Sequence, residues 1–253
     1  MDLGLAGKVA LVTGASRGIG LAIAEGLAVE RTHLAVAARD GPTLAAAASI
    51  LKDRGAEVLA HTCDVADEAS VSALVAATLE RFGRIDILVS NASALAVGPE
   101  RSCWDASIAV DLMGAVRLVE AILPGMRVQG SGAILLISSV SAIEASPMSD
   151  FGYTAAKAAL NAYAKKLAVV EGPNGIRANA LLPGSTEFPG AGWDMIRQYQ
   201  PDLYERVKGG IPSGRLGLPE EVADAAVWLV SSRANWVTGT ALAVDGGQSK
   251  GMR

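Results

Sequence analysis

The chain has 253 residues, 51% of them hydrophobic and 19% charged, with a formal net charge of −4. That length and apolar content describe a folded chain with a sizeable core and exclude disorder, and the interspersed charges offer no basic field for nucleic acid or anionic lipid. No apolar stretch reaches the ~18 residues of a membrane span, no basic segment precedes the first apolar run, and two cysteines and two histidines are too few and scattered for a metal cage. A cytoplasmic protein without metal is expected.

Lys8–Thr13 (KVALVT) is a β-rich apolar run. Gly14-Ala15-Ser16-Arg17-Gly18-Ile19-Gly20 follows at once, and LAIAEGLAVE then carries apolar residues on repeating helical turns. The order strand, glycine turn, helix is the context in which such glycines bind a dinucleotide: Gly14 for the tight turn, Gly18 for approach of the pyrophosphate, Gly20 for close packing of helix on strand. The amides and dipole of the helix N-terminus then favour the phosphate charge.

His33–Ala38 is a second strand, ending at Arg39-Asp40. The residue beyond this strand meets the adenosine ribose, where an acid accepts a 2′-hydroxyl and an arginine accommodates a 2′-phosphate. Arg39 stands there with Arg17 in reach, so NADP(H) is the preferred cofactor and NAD(H) the alternative; Asp40, one position later, suits the start of a turn.

Pro42–Arg54 is an Ala-rich helix and Ala56–His61 a third strand, after which Asp64-Val65 are placed to touch an adenine edge. Asp67 suits the N-cap of a helix over 68–82. Arg84–Ser90 forms a fourth strand running into Asn91-Ala92-Ser93, small residues that leave room for a flat ring. One long helix is predicted over Trp104–Met126, carrying Asp111, and then a fifth strand over Ala133–Ser139.

Tyr153 and Lys157 follow in the Ala-rich run YTAAKAALNAYAKKLAVV, on one face of a predicted helix. A phenol titrating near pH ~10 is a weak catalyst at neutrality. An ammonium ~5 Å away, at an effective dielectric of ~20, contributes roughly 3 kcal/mol and brings it about two pH units closer to working range. A hydroxyl of Ser138 or Ser139 at the end of the apolar run AILLIS reaches the same substrate oxygen, giving a site for proton transfer to a carbonyl.

Gly175–Leu182 makes a sixth strand, closed by Pro183-Gly184. Ser185–Gly210 breaks the α/β rhythm and holds Phe188, Trp193, Tyr199 and Tyr204, four of eleven aromatics, as expected of a lid (about 185–212) over an apolar pocket. Pro219–Ser232 is a helix with Glu220 and Glu221 near its start, and Thr240–Val244 a last strand. Strands and helices alternate without linker or repeat, so residues 1–253 are expected to form one domain, a doubly wound parallel sheet with helices on both faces and its ligands beyond the strands' carboxyl ends.

These residues together resemble the short-chain dehydrogenase/reductase family over nearly the full length, including its 3-oxoacyl-carrier-protein reductase-like members. The matches are Thr13-Gly14-x-x-x-Gly18-Ile19-Gly20, Asp64-Val65, Asn91-Ala92, Ser138-Ser139, Tyr153-x-x-x-Lys157, Asn179 with Pro183-Gly184, Gly214-Arg215 with Pro219-Glu220-Glu221, and Val244-Asp245-Gly246-Gly247. The resemblance implies a Rossmann sheet of about seven strands and a homotetramer paired partly through the Trp104 and Tyr153 helices. It implies that Tyr153 exchanges the proton, Ser139 orients the substrate oxygen, and Lys157 lowers the Tyr153 pKa and holds the nicotinamide ribose. It adds Ser16, Ile19, Asn91, Ala92, Pro183, Gly184 and Thr186 to the expected cofactor site.

Three departures stand out. Ser93 replaces a glycine, which narrows the nicotinamide floor. Asp111 replaces an asparagine that supports a relay water, and an ionised Asp111 near Lys157 opposes the lowering of the Tyr153 pKa, giving a more alkaline optimum. The Ser139–Tyr153 interval is one residue longer than usual, so Ser138 or Ser141 also qualifies as helper. The implied activity is NADP(H)-dependent interconversion of a ketone and a secondary alcohol, on an apolar small molecule. A 3-oxoacyl-thioester reductase and a non-catalytic NADP(H) sensor are the alternatives.

Overall fold

The computed structural model describes residues 2–146 and 148–251. Seven parallel strands form one sheet in the order β3-β2-β1-β4-β5-β6-β7. They are β1 (Val9–Thr13), β2 (His33–Ala38), β3 (Val58–Thr62), β4 (Ile87–Ser90), β5 (Gly132–Ile137), β6 (Ile176–Pro183) and β7 (Ala241–Val244). The order reverses between β1 and β4, so the crevice of the sheet opens beside the glycine turn. Helices α1 (Gly18–Val29), α2 (Gly41–Asp53) and α9 (Pro219–Val230) cover one face. On the other lie α3 (Glu68–Phe82), α5 (Met113–Gln129) and α6 (Phe151–Glu171). β1, β4 and the middle of β2 are buried on both faces, which is why they read as continuous apolar runs.

Local chemistry sets the boundaries. Asp67 accepts from Ala69 N–H at 3.0 Å and starts α3, as the sequence predicts, while Asp40 accepts from Thr43 N–H and starts α2. The fourth strand is shorter than expected and starts at Ile87; just before it, Lys8 and Arg84 both donate to the Asp86 carboxylate. Pro201 splits the 185–210 excursion into α7 (Gly192–Tyr199) and α8 (Pro201–Gly210), since a proline ends the preceding helix and opens the next.

The long helix expected over Trp104–Met126 is corrected. It begins at Arg101 as α4 (Arg101–Ala106), widens into a π-helix over Ser107–Leu112, and resumes as α5. The wide turn rotates Asp111 inward, where Oδ2 accepts from Ala94 N–H at 3.1 Å. A π-turn inside a helix is a common mark of a functional site.

Candidate active site

The glycine turn, Asn91, Ser139 and Pro183 meet at the carboxyl edge of the sheet. Asn91 props the turn rather than facing outward: its Nδ2 donates to Thr13 O (3.0 Å) and Gly14 O (3.2 Å), and its N–H to Thr13 Oγ1 (3.1 Å). Gly20 packs so closely that a Cβ there would overlap Gly14 O and Asn91 Nδ2. Arg17, at the N-cap of α1, gives no side-chain cap, so the first-turn amides keep their capacity for an anion. Arg17 and Arg39 are exposed at the ends of neighbouring strands, which Ala15 N–H joins by donating to Ala37 O at 3.2 Å.

At the end of β3, Val65 is buried and packs toward Gly114, while exposed Asp64 accepts from Ala66 N–H at 2.9 Å. Thr186 is buried and its hydroxyl donates to Gly184 O at 3.0 Å, so that side chain is committed to its own turn. Ser93 Oγ accepts from Leu95 N–H, and Leu95 follows in a left-handed conformation (φ +47°).

The Tyr153–Lys157 pair comes together as its spacing requires. Lys157 Nζ stands 5.4 Å from the Tyr153 ring centroid. The ammonium is buried, donates to Ile137 O at 2.9 Å, and faces Asp111 Oδ1 at 3.1 Å. That last contact is an ion pair outside hydrogen-bond geometry, and Asp111 Oδ1 has no hydrogen-bond partner among the described residues. The Ile137 carbonyl was invisible to sequence reasoning, because any residue type supplies one.

The serines differ in what they have left to give. Ser138 Oγ donates to Lys157 O at 2.9 Å, tying β5 to α6 and spending its proton. Ser139 Oγ accepts from Ser141 N–H at 3.1 Å, which leaves its own proton free to donate.

The family profile described as enoyl-(acyl carrier protein) reductase matches residues 14–249. The chain belongs to the short-chain dehydrogenase/reductase family. It is 38% identical over 248 residues to 2-(R)-hydroxypropyl-CoM dehydrogenase of Xanthobacter autotrophicus, covering 94% of this chain and 97% of that one. It is 34% identical over 250 residues to the 3-oxoacyl-[acyl-carrier-protein] reductase FabG of Chlamydia trachomatis, covering 97% and 98%. The crystal structure of L-sorbose reductase from Gluconobacter frateurii, complexed with NADPH and L-sorbose, superposes with a TM-score of 0.92 at 36% identity over 100% of both chains. This short-chain dehydrogenase/reductase is therefore an NAD(P)-dependent oxidoreductase of the alcohol–ketone type. No helix among its described residues is long and apolar enough to cross a membrane.

Proposed function

We propose that the protein is an NADP(H)-dependent oxidoreductase that interconverts a ketone and a secondary alcohol through Ser139, Tyr153 and Lys157. The observation that carries this reading is the fixed ammonium: Lys157 is held between Ile137 O and Asp111, close to the Tyr153 ring. One of its three protons goes to Ile137 O, which leaves donor capacity for the cofactor ribose. Among the described residues no group hydrogen-bonds the Tyr153 hydroxyl, so it is free for a substrate oxygen. Ser139 donates to that same oxygen and polarises it. In the reductive direction Tyr153 Oη gives up its proton as the carbonyl becomes an alcohol, and in the oxidative direction it takes one back.

The glycine turn with the α1 amides would hold the diphosphate, and Arg17 and Arg39 a 2′-phosphate. When bound, the nicotinamide supplies or accepts the hydride. The L-sorbose reductase complex with NADPH supports NADP(H) over NAD(H), alongside the two exposed guanidiniums. Residues 185–212 act as the substrate lid of a single domain, and exposed Val97, Phe151 and Met195 suit an apolar substrate. Likeness to the Chlamydia reductase favours a 3-oxoacyl thioester as the second reading. Exposed Met113, Val128, Val169 and Val170 on α5 and α6 suit pairing of copies into a homotetramer.

The test is Tyr153→Phe, assayed with NADPH and NADH against a panel of ketones and alcohols. Turnover is expected to fall by about 10²–10⁴-fold while NADPH affinity stays unchanged. A variant as active as the parent overturns the assignment.

A further inference from the structure

Phe188 stands at the start of the lid, yet its ring reaches back to the glycine turn. It meets Gly18 end-on: a Cβ built on Gly18 (φ +57°) would overlap Phe188 Cζ and lie 2.7 and 2.8 Å from its two Cε atoms. Gly18 opens α1, whose first-turn amides have no side-chain cap. This is the place where a diphosphate accepts hydrogen bonds, and a hydrocarbon ring accepts none of comparable strength. Ring and diphosphate therefore compete for one space.

The backbone leading to Phe188 is anchored, and the segment beyond it is a unit of its own. Glu187 N–H donates to Gly217 O at 3.0 Å, and Tyr204 Oη donates to the Glu187 carboxylate at 2.8 Å. Tyr204, Ile211 and Leu216, with Trp193, Ile196 and Val207 against them, form a small apolar cluster separate from the two cores of the sheet. A displacement of Phe188 thus reaches a lid that carries its own packing.

We propose that Phe188 is an autoinhibitory plug: without cofactor its ring fills the diphosphate's seat on Gly18, and the dinucleotide binds only after the ring swings out with the lid. The proposal rests on the reading that the turn binds NADP(H). A plug closed for nine-tenths of the time weakens apparent affinity about tenfold, because only the open fraction binds. Stopped-flow energy transfer from tryptophan to NADPH reads the effect. In the parent, the observed binding rate should level off with rising NADPH at the rate of unplugging. In Phe188→Ala it should rise linearly, with a dissociation constant about tenfold lower. Phe188→Leu should fall between them and serves if the alanine variant folds poorly. An unchanged or weaker affinity in both variants overturns the plug while leaving the dinucleotide site in place. Failure of parent and variants alike to bind NADPH or NADH overturns the dinucleotide reading, and the plug with it.

Discussion

Helix α6 is joined by a buried carboxylate at one end to the π-turn and at the other to the end of α5, and the two ends are built differently. At the amino edge of the sheet, Glu171 is buried but fully provided for. Arg127 donates to its two oxygens at 2.6 and 3.0 Å, and Asn174 donates at 2.9 Å. Arg127 keeps its guanidinium half in water, with 49% of the side chain exposed, so only one partner is desolvated. At the carboxyl edge, Asp111 and Lys157 are both buried, and the acid holds one backbone hydrogen bond and one bare ionic contact. A pair built only for stability would be satisfied like the first, because buried charges need hydrogen bonds to offset desolvation. The incomplete pair is the one beside Tyr153. The contrast separates a staple from a site.

Breaking the staple should change stability and leave turnover alone. Glu171→Gln removes the charge that draws in two Arg127 donors and is expected to cost about 2 kcal/mol, read from denaturant midpoints at constant m-value. The hydrogen bonds from Arg127 hold the Glu171 carboxyl below its usual range, burial opposes them, and Asn174 adds to them. A carboxyl depressed in the folded state stabilises above its unfolded value and loses that contribution as pH falls through the folded one. The gap between parent and variant should therefore close in acid. Turnover and its pH profile should not move; if they do, the two ends are coupled and the separation fails.

Breaking the other end should move activity as well. Asp111→Asn keeps the shape and the capacity to accept from Ala94 N–H, but it strands the buried Lys157 ammonium, so stability should fall too. It removes a negative charge that offsets the Lys157 ammonium near Tyr153. The pH–rate profile of alcohol oxidation should then change, whereas that of Glu171→Gln should not. An unmoved profile would mean that the carboxylate only maintains geometry.

Most of the fold was legible because its signals are local. The apolar runs, the glycine turn and the caps at Asp67 and Glu221 each lie within a few residues of what they control. The Tyr153–Lys157 pair was legible for the same reason, being one helical turn. The π-turn at Asp111 was not, since apolar periodicity is blind to one wider turn whose contacts lie at Ala94 and Lys157. Nor was the meeting of Phe188 with Gly18, which joins residues far apart in the chain. The hydrogen bond from the Thr186 hydroxyl to Gly184 O, two residues back, was not legible either.

A third ion pair calibrates the comparison at the wet extreme. Glu221, in the first turn of α9, accepts from Arg215 Nη1 at 2.8 Å and from Leu218 N–H at 2.9 Å. The Arg215 hydrogen bond first and the Leu218 amide second hold its carboxyl down to about 2, against the opposing effect of burial. The shift is large, yet 42% of the Glu221 side chain and 53% of Arg215 are exposed, so solvent screens most of its worth. Glu221→Gln should cost under about 1 kcal/mol at neutral pH. With the folded value near 2 and the ordinary one at 4.5, that small difference should hold above pH 4.5 and fade toward pH 2. Added salt should shrink it further, whereas the Glu171 effect, with its carboxylate buried, should persist. Equal salt sensitivity of the two variants would show that burial does not distinguish the staple from a surface pair.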